Sequence, residues 1–153
     1  MKSKILFVIV SVLISLNSIA QSLSDGRMVD NFINEINKER SRYGYQPLEV
    51  MEGGMNGKVN DTNRKFVNKD IVNQQNDIRK KFVSSQSRKY VNNNMGFVFL
   101  SVSSSNNNTD MFIEELRNSC MWDILMNPDN KEIAVSILYD SKNKVFYNTS
   151  VLR

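Results

Sequence analysis

The strongest constraint on the fold lies near the end of the chain, where two apolar runs, Ile133 to Tyr139 and Val145 to Leu152, flank the polar segment from Asp140 to Lys144. Both runs are rich in Val, Ile, Phe and Tyr, whose branched or aromatic side chains suit a pleated, half-buried surface. The pattern predicts a β-hairpin with a loop of about five residues. Upstream, Asp123 to Met126 reads as a short helical approach that stops at Asn127 and Pro128. Pro128 has no N–H to donate and disfavours a helical backbone at the residue before it, so whatever precedes it ends there.

The other end is equally directive. Lys2 and Lys4 precede an apolar stretch from Ile5 to Leu16, followed by Ser18-Ile19-Ala20. This order of basic, apolar and small residues is that of a secretory signal peptide, here 1–20, with cleavage expected after Ala20. The apolar stretch is shorter than the roughly 18 to 20 residues that cross a bilayer. The remainder, 21–153, is about the size of one domain with a sizeable core. The expected product is a secreted or periplasmic monomer with no stable membrane span after cleavage.

Charge and residue content then exclude several kinds of chemistry. The formal charge of +4 falls to +2 once Lys2 and Lys4 leave, too little for the electrostatic footprint of a nucleic-acid binder. Cys120 is the single cysteine, so no intramolecular disulfide forms, and it is not beside the cleavage site as a lipid-anchored bacterial N-terminus requires. The chain has no histidine. That removes the usual general base near neutral pH, the Ser-His and Cys-His nucleophile pairs, and the commonest zinc ligand.

Between the two ends, Met28, Val29, Phe32, Ile33 and Ile36 recur at helical spacing, with Ser24 or Asp25 as N-cap and Gly44 as stop. Glu35 and Glu39 fall on its polar face and read as solvated charges. Met55, Val59, Thr62 and Phe66 share one helical face, although Gly53, Gly54 and Gly57 weaken its start. Further helix is expected to Val83, broken around Gln74, and the basic cluster Arg79, Lys80, Lys81, Arg88 and Lys89 reads as a solvated helix face, the alternative being a contact for anionic lipid or glycan. Gly96 to Val102 is a strand candidate and Ser103 to Asn108 a loop. Thr109 or Asp110 caps a helix that faces inward through Phe112, Ile113 and Leu116. Sequons at Asn60, Asn107 and Asn148 match what chance gives in so Asn-rich a chain.

Two stretches carry a family resemblance. The spacing Asn37-x2-Arg40-x3-Gly44-x2-Pro47-Leu48, and the segment MWDILMNPDNKEIAVSILYDSKNKVFY from Met121 to Tyr147, resemble the CAP superfamily of cysteine-rich secretory, antigen 5 and pathogenesis-related 1 proteins in its bacterial secreted form. The resemblance implies an α/β fold, a three-layer α/β/α sandwich with a central antiparallel sheet. It also implies a groove that in the family holds two histidines and acidic partners able to bind a metal. Here the histidine that opens the second segment falls on Met121, and the acidic Gly-Glu-Asn stretch falls near Asn93 to Gly96, where no acid stands. A thioether takes no proton and is a poor ligand for zinc or calcium, so no metal or other cofactor is expected.

The candidate groove is Asn94, Ser119, Cys120, Met121 and Trp122, with no catalytic residue among them. Cys120 reads as a buried small hydrophobe, and Trp122 as core or cavity rim rather than a sugar-stacking platform. The expected function is a non-catalytic CAP-like domain, a pseudoenzyme, binding a lipid-like ligand or an envelope or extracellular partner through the family groove. Two alternatives stand beside it: a structural or protein-interaction scaffold with no small-molecule site, and a hydrolase working through Glu114, Glu115 or Glu132. The second requires two carboxylates about 5 to 9 Å apart in a cleft.

Overall fold

The computed structural model describes residues 26–67, 72–89, 95–103, 109–140 and 143–153; residues 1–25, where the signal peptide is expected, Asn94 and most of the 103–108 loop lie outside them. The chain folds as α/β. Helix α1 covers 26–42, followed by strand β1 (Glu49–Val50), α2 (Met55–Val67), α3 (Val72–Lys89), β2 (Gly96–Ser103), α4 (Thr109–Arg117), α5 (Trp122–Leu125), β3 (Glu132–Asp140) and β4 (Val145–Leu152). The sheet runs β1-β3-β4-β2, with β4 antiparallel to both β3 and β2. One edge departs from the expected antiparallel sheet: β1 pairs parallel with the start of β3, Val50 opposite Ile133. So short a strand leaves no periodicity to read.

The hairpin forms as predicted, and its neighbours explain its composition. Phe146 to Leu152 are all buried, because β4 has a strand on each side and packing on both faces. Its two ends, Phe146-Tyr147 and Val151-Leu152, are apolar on both faces, while Asn148, Thr149 and Ser150 bury polar side chains at its centre. Asp140 organises the turn, accepting hydrogen bonds from Asn143 N at 3.2 Å and Nδ2 at 2.7 Å, while Lys144 adopts a left-handed φ of 54°.

The period of two along the strands sends alternate side chains into two separate cores. On one face Val98, Val102, Ile133 and Phe146 pack with Phe32 and Ile36 of α1, Phe112 and Leu116 of α4, and Leu125 of α5. On the other, Ala134 and Val151 pack with Met55 and Val59 of α2 and Phe82 of α3, and Phe97 and Phe99 join them. The predicted faces of α1, α2 and α4 are thus the buried ones. Gly53 and Gly54 lie just before α2 with φ of 81° and 82°, so they form the turn into the helix, while Gly57 falls in its first turn. The break expected around Gln74 does not fall there: α2 ends at Val67 and α3 runs unbroken from Val72 through Gln74, with 68–71 outside the described residues.

Arg40 joins the two stretches that carry the family resemblance. It is fully buried on α1 and donates from Nε to Gln46 O at 2.8 Å, from Nη1 to Leu125 O at 2.8 Å and Asn127 O at 2.9 Å, and from Nη2 to Asn130 O at 2.9 Å. Asn37, one turn earlier, pairs its side-chain amide with both backbone groups of Leu48, at 3.0 and 2.7 Å. Gly44 turns the chain out of the helix at a φ of 73°, as its position predicts. Desolvation lowers the Arg40 pKa, and nearby Tyr45 raises it in part.

Strand β2 and α5 approach closely at Gly96. A Cβ there would lie 2.5 Å from Cγ2 of Ile124. Gly96→Ala therefore lowers stability by about 1–3 kcal/mol, as overpacking does. In a urea titration the double variant with Ile124→Ala should show a smaller loss than the sum of the single ones; strict additivity would contradict the contact.

Candidate functional site

The corner between α4 and α5 gathers four of the five groove residues. Leu116 O, at the end of α4, accepts from Ser119 N at 3.1 Å and from Ser119 Oγ at 2.8 Å. The same hydroxyl accepts from Met121 N at 3.2 Å, and Ser119 O accepts from Trp122 N at 3.0 Å. Ser119 is therefore the staple of the corner, its hydroxyl engaged on both sides. Met121 and Trp122 are half-buried and pack against the core shared by α1 and α4. Asn94, the fifth residue, lies outside the described residues.

Cys120 departs from its expected burial. It is exposed, because the turn that sends Met121 and Trp122 inward points the residue before them outward. Trp122 is bracketed from the solvent side: the Arg117 guanidinium lies 5.6 Å from its ring centroid and reaches Glu39 of α1 at 3.5 Å. Glu39 also holds Arg42 at 2.6 Å, so it is part of an ion-pair chain rather than a free carboxylate. Contacts this exposed contribute at most about 1 kcal/mol each.

The acids considered for hydrolysis have ordinary structural settings. Glu114 and Glu115 are exposed on α4, the former 3.9 Å from Arg117, and Glu132 is ion-paired with Arg153. Among the described residues no group of three or more Cys, Asp and Glu side chains is placed to hold a metal ion.

Several buried polar residues escape a sequence reading. Asn63 of α2 lies over the β3–β4 ladder, donating to Ser136 O at 2.6 Å and Tyr147 O at 3.0 Å and accepting from Thr149 Oγ1 at 2.6 Å. Asn60 joins through Ser136 Oγ at 3.2 Å. On the other face of β4, Ser150 Oγ donates to Asn148 Oδ1 at 3.1 Å, while Asn148 Nδ2 is buried without a partner among the described residues. With 1% of its surface exposed, Asn148 is closed to glycosylation in the folded chain. Arg79 corrects another expectation: Lys80 and Lys81 are solvated, but Arg79 turns inward. The available signal was position, since Arg79 and Phe82 are three apart on α3 and so share a face.

The corner geometry carries its own check. In the native protein Cys120 should react with a thiol-specific alkylating reagent about as fast as it does in the urea-unfolded chain. Strong native protection would contradict its outward placement.

In comparisons with known proteins, no family profile and no curated sequence matches the chain. Among solved structures it is similar to an outer surface protein from Borrelia burgdorferi, at 12% identity and a TM-score of 0.52, over 82% of this chain and 91% of that one. At that identity the likeness is one of fold.

Proposed function

We propose that this protein is a non-catalytic, CAP-like binding domain that works outside the cytoplasm and holds a lipid-like molecule against the corner formed by Met121 and Trp122. The observation that carries the reading is the corner itself. Where the family resemblance places a histidine, Met121 offers a flexible thioether beside the half-buried Trp122, on a backbone fixed by Ser119. A flexible thioether and an indole suit an apolar ligand of variable shape.

Three further observations support it. Arg40 joins the two resemblance stretches by hydrogen bonds, so they belong to one structural unit. The leader at 1–20 directs the chain out of the cytoplasm. The fold neighbour is described as an outer surface protein, in keeping with that location.

Trp122 is the sole tryptophan, so its emission reports on the corner directly. Titration of the mature protein with an uncharged monoacylglycerol should change that emission saturably. Met121→Asn, which removes an apolar contact worth about 1.5–3 kcal/mol, should weaken the binding about tenfold or more with the far-UV spectrum unchanged. Emission that does not respond, or equal binding by the variant, would overturn the reading and leave the scaffold alternative.

A further inference from the structure

On the face of the sheet away from the α4–α5 corner, α3 presents a stripe of side chains whose polar groups the described residues leave partly unpaired. The Arg79 guanidinium lies 5.3 Å from the Phe66 ring centroid and 5.8 Å from that of Phe99, and these two rings meet edge to face at 6.2 Å. Its Nη1 reaches Asn76 Oδ1 at 3.4 Å, a long contact on the exposed side. Its Nε is buried and has no hydrogen-bond partner among the described residues, and no acid there forms an ion pair with it. Desolvation lowers its pKa, the direction expected of a cation removed from water without a counter-charge.

Seven residues further along α3, Gln86 shows the opposite polarity. It is 7% exposed; its Nε2 donates to Ser85 Oγ at 3.1 Å, while its Oε1 is buried with no donor among the described residues. Phe82 stands between the two on the same stripe, its ring edge-on to Phe97 and Phe99, both at 6.2 Å. A helix rises about 1.5 Å per residue, so the unpaired donor and the unpaired acceptor are roughly 10 Å apart along its axis. Phe97 and Phe99 are only half-buried, so the aromatic floor between them remains partly open.

A buried polar atom left unpaired costs about 1–3 kcal/mol, and native interiors rarely keep one without a reason. Two of opposite kind on one helical stripe, with aromatic surface between, match the two ends of one molecule. We infer that the face between α3 and β2 binds an acidic amphiphile. A carboxylate or phosphate sits on Arg79, an apolar body lies along Phe82, Phe97 and Phe99, and a hydroxyl or amide N–H donates to Gln86. The guanidinium stacked on two rings keeps its planar edge for the acid, the geometry that recognises carboxylate and phosphate with paired hydrogen bonds.

Calorimetric titration of the mature protein with decanoate, decyl phosphate, decanol and ω-hydroxydecanoate tests this. Decanoate or decyl phosphate should bind saturably and about tenfold or more tighter than decanol, and the stronger of the two identifies the headgroup. Arg79→Gln should remove the preference for the acids without changing decanol binding. ω-Hydroxydecanoate should bind tighter than decanoate, and Gln86→Leu should erase that gain while leaving decanoate unaffected. Should Arg79→Gln fold poorly, Arg79→Lys keeps the charge but not the fork, and a smaller loss of acid binding is expected. Equal binding of decanoate, decyl phosphate and decanol, or undiminished acid binding in both Arg79 variants, would overturn the inference. Met121→Asn should leave acid binding intact, so this site and the α4–α5 corner are tested separately.

Discussion

The structure turns on one buried cation. Arg40 has no acid among its hydrogen-bond partners; four backbone carbonyls share its charge. Three of them belong to the end of α5 and the turn beyond it, where the last carbonyls of a helix have no partner within it. A guanidinium is the side chain suited to this, since it presents five N–H groups in a rigid plane and remains protonated even when desolvated. Asn130 completes the arrangement by donating from Nδ2 to Ile124 O at 2.8 Å. The exit of α1, the end of α5 and the start of β3 are thereby held as one piece.

The remaining architecture builds on that piece. Fixing residues 125–130 sets where β3 begins, and β3 with β4 forms the hairpin on which both cores are built. The core shared by α1, α4 and α5 is largely apolar at its outer end, where Met121 and Trp122 close it. The core under α2 and α3 is mixed, with Asn63 saturating ladder carbonyls in the centre and Arg79 and Gln86 at the helix rim. Buried polar groups that are fully paired help to specify a fold, whereas each one left unpaired is costly and rare in native interiors. The two faces of one sheet thus differ in character, one closed by Met121 and Trp122 and the other carrying Arg79 and Gln86 at its rim.

Much of this architecture was legible in the residues. The hairpin, the strand from Gly96 and the inward faces of α1 and α4 followed from spacing alone, because each buries one continuous apolar stripe. The α2 face, Met55 to Phe66, was legible too, though its glycines obscured where it starts. What could not be read were polar residues turned inward. Arg40, Asn63, Arg79 and Gln86 look like surface residues in any pattern that equates polar with exposed; for Arg79 the spacing to Phe82 hinted otherwise, and partners in space show it for the rest. Cys120 failed in the opposite sense: a small apolar residue beside Met121 and Trp122 reads as core, but a tight turn puts adjacent residues on opposite sides. The two-residue β1 gave no signal because its pairing to β3 is set by distant backbone, not by its own sequence.

The central claim is that Arg40 couples the exit of α1 to the α5–β3 turn, and amide hydrogen exchange in an Arg40→Lys variant tests it most directly. A lysine keeps the charge but cannot reach four carbonyls in one plane. Protection should fall together in 43–48 and 124–131, while the α2 helix keeps its protection. Wild-type protection across 124–131 in that variant would contradict it.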